Sequence, residues 1–361
     1  MAVSSRRRHL LALAAALALP HARGGSPAPR TLQFPRDFGS HPETRIEWWY
    51  ITGHATTAKD DQSADARPFG FQLTFFRTRV DATQHLRSAF AAKQLIFAHA
   101  AVTDLQGRKL WHDQRIARAG MGVAFASEDD TIVRLRDWSL AHEDTHYLAR
   151  LPADGFSLDL RFDATQPVLL QGAAGLSRKG PLPEQASFYY SEPQLAASGR
   201  IAVQGHSVEV TGRAWLDHEW SDTLMSPDAV GWDWIGMNLH DGGALTAFRL
   251  RDRNGGTVWT GGSFRTAAGA LKVFDDGVVH FTPQRVWQSP ATQASYPVAW
   301  SVQTPAGTFV VRSLLDDQEL DSRSSTGAVY WEGVSELLDA QGRVVGRGYL
   351  EMTGYAQPLR L

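Results

Sequence analysis

The chain has 361 residues, 43% of them hydrophobic and 20% charged, with a formal net charge of -2. That size suits two ordinary domains, and without a basic excess the surface does not offer what nucleic-acid phosphates require. There is no Cys, which excludes disulfides, a Cys nucleophile, a thiolate metal site and a thiol-linked lipid anchor, while 12 Trp and 32 Gly point to an all-β protein with frequent tight turns.

Residues 1–25 read as a signal peptide. Arg6, Arg7 and Arg8 form a basic stretch, Leu10 to Leu19 an apolar one, and small or turn-forming residues follow from Pro20 to Gly25, with cleavage expected near Ala22. The apolar stretch is too short to span a bilayer. Ser5-Arg6-Arg7-Arg8-His9-Leu10 also resembles a twin-arginine signal, with His9 where an apolar residue is usual, so general secretion and twin-arginine export both stay open. Either route predicts a periplasmic or secreted protein. No other segment is apolar enough to cross a membrane, so the mature chain is expected not to span one.

From residue 45 onward the sequence reads as short strands separated by turns. Phe69 to Phe76, Val208 to Trp215, Trp232 to Leu239 and Thr308 to Leu314 are examples, and Gln106-Gly107, Asp241-Gly242-Gly243, Asn254-Gly255-Gly256, Asp276-Gly277 and Gln341-Gly342 mark turns. Thr57 to Pro68 reads as an exposed polar loop. Segments with helical periodicity are missing, which predicts a sandwich or an up-and-down barrel.

An internal repeat is visible. Leu73-Thr74-Phe75-Phe76-Arg77-Thr78-Arg79 and Leu245-Thr246-Ala247-Phe248-Arg249-Leu250-Arg251 share L-T-x-F-R-x-R. Asp104 to Trp111 and Asp252 to Trp259 share D-x-x-G-x-x-x-W, and Trp48-Trp49-Tyr50 and Trp232-Asp233-Trp234 precede the two copies. Two copies of one β module are expected, an N-terminal barrel over 30–195 and a C-terminal barrel over 196–361. Closure of each would remove exposed sheet edges.

Further runs carry a family resemblance: Phe34-Pro35-Arg36-Asp37-Phe38-Gly39 with His41-Pro42, Glu47-Trp48-Trp49-Tyr50 with Thr52-Gly53-His54, and Phe69 to Arg77. Phe188-Tyr189-Tyr190-Ser191, Ala214 to Trp220, Gly231 to Trp234, Tyr330-Trp331-Glu332-Gly333 and Gly348 to Tyr355 continue it. Together they resemble the family of carotenoid 1,2-hydratase (hydroxyneurosporene synthase) and the AttH-type proteins encoded beside ABC transporters. The resemblance implies two tandem lipocalin-like (calycin-type) antiparallel β-barrels. It implies function less directly, because such families carry more than one chemistry on one fold.

Strand alternation assigns the faces around the most polar motif. Val208, Val210, Gly212, Ala214, Leu216, His218 and Trp220 share an apolar face, expected to line a barrel interior. Trp215, Asp217 and Glu219 then face solvent or the other domain, unless a bulge reverses them. His218 is a candidate acid or base, or else a hydrogen-bonded plug in a packed barrel end. Asp233 shares its face with Ile235, Met237 and Leu239. Desolvation there would raise its pKa and suit it to act as a general acid; the alternative is a strand-end Asp paired with an Arg. Trp48, Trp49, Tyr50, Tyr189, Trp220, Trp232 and Trp234 are candidate walls of an apolar site or ordinary core, and the Tyr190 hydroxyl a candidate to orient water. Asp217-His218-Glu219 does not suit a metal, since adjacent strand residues point to opposite faces. No nucleophile elbow, zinc-protease motif, phosphate loop or dinucleotide fingerprint is present, so no cofactor is expected.

Two functions fit. The first is an exported protein whose barrels bind an apolar lipid- or isoprenoid-like ligand, associated with an ABC transporter permease. The second, implied by the resemblance, is a cofactor-free hydratase. In it Asp233 or His218 protonates a C=C bond, the faces of Trp220, Trp232 and Trp234 stabilise the cation, and water held by Tyr190 or His218 adds. A third reading packs both barrels solid and leaves an envelope protein acting through its surface.

Overall fold

The computed structural model describes residues 30–58, 66–223 and 225–359. The signal peptide and its export routes, and residues 59–65 of the expected loop, lie outside the described residues. Among those residues there is no α-helix. Two short 3-10 turns, Arg36–Phe38 and Asp81–Thr83, accompany two antiparallel sheets of thirteen and ten strands. No described helix is long and apolar enough to cross a membrane.

The sheets share one plan, which explains the repeat. In the first, Ile46–Thr57, Pro68–Arg79, Gln94–Asp104 and Lys109–Arg118 form a meander. Its first strand then pairs with the last strand of the sheet, His206–Thr223, which pairs in turn with Ala186–Val203. In the second, Gly231–Leu239 opens a meander through Ala244–Arg251, Thr257–Arg265 and Leu271–Phe274, and pairs with the final strand Val344–Met352, beside Ala328–Leu338. The L-T-x-F-R-x-R copies occupy the same place in each half, the second strand of the meander. The expected join at 195/196 is corrected: it falls inside Ala186–Val203, and the chain leaves the first sheet only after Thr223. The repeat markers lie early in each half, so they could not locate its end.

Both interiors are packed. Trp49, Ile51, Phe71, Leu73, Trp138, Leu158 and Leu216 fill the first barrel; Ile235, Met237, Tyr296, Trp300, Trp331 and Leu350 fill the second. A third apolar cluster, with Tyr50, Trp215, Trp234, Phe248, Val334 and Tyr349, lies where the barrels meet. The approach is close. A Cβ on Gly70 of the first barrel would stand 2.7–2.8 Å from Val334 and the Tyr349 hydroxyl of the second, inside van der Waals contact.

Candidate active site between the barrels

Alternation sorts the candidate residues into two groups. The even-numbered side of Ile46–Thr57 (Trp48, Tyr50) and the odd-numbered side of His206–Thr223 (Asp217, Glu219) face a cavity of about 290 Å³ between the barrels. Tyr189, Trp232 and Trp234 line it too. Trp49, Tyr190, His218, Trp220 and Asp233 lie on the opposite faces, inside the barrels, and do not. Sequence periodicity predicts this split for His206–Thr223 and for Asp233; the space for a ligand lies outside the lumens rather than within them.

The acids of the cavity come from both halves. Asp217, 4% exposed, accepts hydrogen bonds from Tyr189 Oη at 2.7 Å, Ser191 Oγ at 2.5 Å and Trp215 Nε1 at 2.7 Å. Burial nevertheless pushes its pKa up to about 7, with the Glu219 charge adding to the rise. Glu219 pairs with Lys179 at 3.0 Å and accepts from Ser187; the ammonium lies 4.3 Å from the Phe248 ring centre and 4.7 Å from that of Tyr189.

Across the cavity, Glu351 is pushed up to about 7 by burial, with the Asp217 and Glu219 charges adding to it. Glu332, opposite Glu351 in strand register, is raised well above the usual carboxylate range by burial and by that neighbour. The buried Tyr50 hydroxyl is a polar neighbour of the Glu332 carboxyl and partly offsets its rise. Trp48, Trp232, Trp234, Phe76, Phe97 and Phe248 supply aromatic walls.

Sequence reasoning missed Glu332, Glu351, His99 and Tyr330. A signal existed for Glu351. Trp48 pairs in register with Glu219, and Trp234 with Glu351, so the repeat carries one acid to both walls.

The interior faces are polar in another way. His218, fully buried, stacks 4.6 Å from Trp49 and contacts Glu47 Oε1 at 2.9 Å and Tyr190 Oη at 3.1 Å. Burial lowers its pKa to about 4 against the pull of Glu47. Glu47 also meets Arg77 Nε and His41 Nδ1, each at 2.7 Å. Burial alone would raise the Glu47 carboxyl, but these partners hold it well below the carboxylate range. His41 stacks on Trp220 at 3.7 Å and bonds Asp37 at 3.0 Å.

Donor atoms of His41, Glu47 and His218 lie within 4.8 Å of one another. A metal ion there would have to replace the hydrogen bonds that join them, beside the buried Arg77 guanidinium, so the donor set fits a hydrogen-bonded plug better than a metal centre.

The second barrel carries the counterpart. Asp233 opposes Arg249 in register, as Glu47 opposes Arg77. It binds Arg249 Nε at 2.6 Å and Arg251 Nε at 3.0 Å and accepts from Tyr355 Oη at 2.8 Å. The expected unpaired carboxyl on an apolar face is therefore corrected: Asp233 is the Arg-paired strand-end acid of the alternative reading. The repeated Arg of L-T-x-F-R-x-R is its partner.

Comparison with known proteins agrees with this architecture. The model of the AttH-like family matches residues 26–355. The crystal structure of a Nitrosomonas europaea protein described as AttH superposes with a TM-score of 0.84 at 46% identity, covering 91% of this chain and 99% of that one. Kievitone hydratase of Fusarium solani subsp. phaseoli is 23% identical over 184 residues, 49% of this chain and 51% of its own. Dehydratase asqC of Emericella nidulans is 23% identical over 176 residues, 43% of this chain and 45% of its own. The chain thus spans about half the length of the curated relatives it matches.

Proposed function

The chain belongs to the AttH-like family, and from that membership and the acid-lined cavity we propose that it is a cofactor-free hydro-lyase acting on an apolar substrate held between its two barrels. The observation that carries the reading is Asp217, a carboxyl with a pKa of about 7 facing an aromatic cavity. Such a group keeps its proton near neutral pH and can donate it. The relatives named hydratase and dehydratase support water addition or removal as the reaction class.

The step balances without a co-reactant. The Asp217 proton passes to one alkene carbon, leaving a carbocation on the other. The faces of Trp48, Trp232 and Trp234 stabilise that charge. Water adds through oxygen and gives up a proton to the Asp217 carboxylate left by the first transfer, which restores the acid. Dehydration is the reverse. His218 and Asp233, the sequence candidates for the acid, are assigned the structural task of holding the barrel ends.

The same cavity would suit a carrier of an apolar molecule, the function first expected from the signal peptide. Protonatable acids on both walls, with relatives named hydratase and dehydratase, favour the enzyme. The basic and apolar amino-terminal sequence supports a periplasmic or secreted site of action, tested by the mass of the mature protein recovered from the periplasm.

The activity test uses water labelled with heavy oxygen and a panel of isoprenoid alkenes with their tertiary alcohols. The expected result is label in the alcohol, with turnover lowered by roughly 10²–10⁴-fold in Asp217→Asn. Full turnover in that variant, or no label from any member of the panel, would contradict the reading.

A further inference from the structure

At one wall of the cavity four side chains, drawn alternately from the two barrels, form a hydrogen-bonded chain that the hydro-lyase step above does not use. Gln114 and His99 belong to the first barrel, Ser325 and Tyr330 to the second. Its direction can be read from one end. Gln114 Nε2 donates to the Asp321 carbonyl at 2.7 Å, a partner that can only accept, so Gln114 Oε1 is the atom facing Ser325. The Ser325 hydroxyl donates to that oxygen at 2.6 Å. Its single proton is then used, and Ser325 Oγ must accept from His99 Nε2, 2.9 Å away. The His99 tautomer is thereby fixed, with Nδ1 bare. Nδ1 accepts the Tyr330 hydroxyl at 2.8 Å.

The consequence falls on Tyr330. Its phenolic proton is committed to His99, so its oxygen can serve the cavity only as an acceptor. Among the described residues the other polar contact at that oxygen is a long one, 3.4 Å from Gln72 Nε2. Burial lowers the His99 pKa to about 3, so the ring stays neutral and the arrangement survives mild acid. Tyr330 and Glu332 are two residues apart on one face of Ala328–Leu338, and both line the cavity.

We infer that Tyr330 is a positioning residue whose oxygen accepts a hydrogen bond from a hydroxyl on the bound molecule, so that the cavity selects apolar alcohols or phenols over their deoxy counterparts. It rests on the hydro-lyase reading only in identifying that hydroxyl with the group gained or lost, one pleat from Glu332. Tyr330 orients the oxygen; its own proton stays with His99 and does not enter the reaction balance.

Calorimetric binding of thymol and of p-cymene, which lacks only the hydroxyl, tests this on the full chain. Tyr330→Phe is expected to weaken thymol by roughly 3–10-fold, the worth of one hydrogen bond, and to leave p-cymene unchanged. Ser325→Ala, a second variant at the half-buried end of the chain, frees the His99 tautomer and is expected to narrow the thymol preference, again without moving p-cymene. Equal weakening of both compounds in Tyr330→Phe would make the four residues a latch between barrels and overturn the assignment. So would no change in either, or no binding of thymol by the unaltered protein. Turnover lost in Asp217→Asn together with an unchanged thymol preference in Tyr330→Phe would keep the hydro-lyase and discard this inference; the opposite pair of results would do the reverse.

Discussion

The two faces of His206–Thr223 are built from the same kinds of residue and behave in opposite ways. Inward, His218 sits in a network in which hydrogen bonds join Glu47 to Arg77, His41 and His218, and His218 to Tyr190, leaving Arg77 Nη1 without a partner. Outward, one residue away, Asp217 and Glu219 meet Glu351 and Glu332 across open space, with Lys179 paired to Glu219. The inner charges are paired and therefore fixed. The outer acids exceed their cation, so burial is relieved by holding protons instead of by ion pairing. A cluster with a proton to give, beside a space for a molecule, is where chemistry is expected; a cluster whose charges are paired holds the fold.

Substitutions on the two faces should separate activity from stability. Asp217→Asn, the largest effect expected, removes the transferable proton, and its loss of turnover should come with a urea unfolding curve little changed near pH 4 and no less stable at neutral pH. Glu47→Ala does the converse. It strands Arg77 in the barrel interior and should cost about 3–5 kcal/mol of stability by denaturant unfolding. A Glu47 variant as stable as the parent would mean that the network is not fixed.

The faces also differ in the sign of their pH dependence. Asp217 moves from 3.8 to about 7 on folding, so the folded chain binds its proton more tightly than the unfolded chain. Its ionisation cost is absent below about pH 4, grows as pH rises and is complete above about pH 7, a few kcal/mol in all. Glu47 is lowered on folding. Its stabilisation is present above its unfolded value of 4.5 and is lost as pH falls below it. Unfolding midpoints across pH should therefore fall on both sides of an acidic maximum, and Asp217→Asn should flatten only the neutral side. Turnover should decline above about pH 7 as the cavity acids lose protons.

The smallest effect concerns the seam itself. Gly70→Val would drive a side chain into Val334 and Tyr349, and is expected to cost about 1–3 kcal/mol by the same unfolding measurement.

Much of this was legible before the structure. Period-two alternation placed His218 and Trp220 inward and Asp217 and Glu219 outward, toward solvent or the other domain, because a strand with one apolar face has little freedom to slip. The shared L-T-x-F-R-x-R marked equivalent strands. What alternation cannot do is say which strands meet across the seam. Glu332, Glu351, His99 and Tyr330 belong to strands far apart in sequence, and their polar atoms gain meaning only beside Asp217. Asp233 stayed open between a general acid and an Arg-paired strand end for the same reason: Arg249, its register partner, was visible as a repeat residue but not as a neighbour.

The most direct test of the central claim needs no substrate. Carbon-13 NMR of labelled Asp and Glu carboxyls, followed from pH 4 to 9 in the parent chain and in Asp217→Asn, reads the protons themselves. The account predicts two carboxyls titrating at about 7, Asp217 and Glu351, of which the Asp signal vanishes in the variant. If the Asp217 signal were already that of an ionised carboxylate throughout this range, the cavity would have no proton to give from that residue, and the acid-catalysed reading would fail.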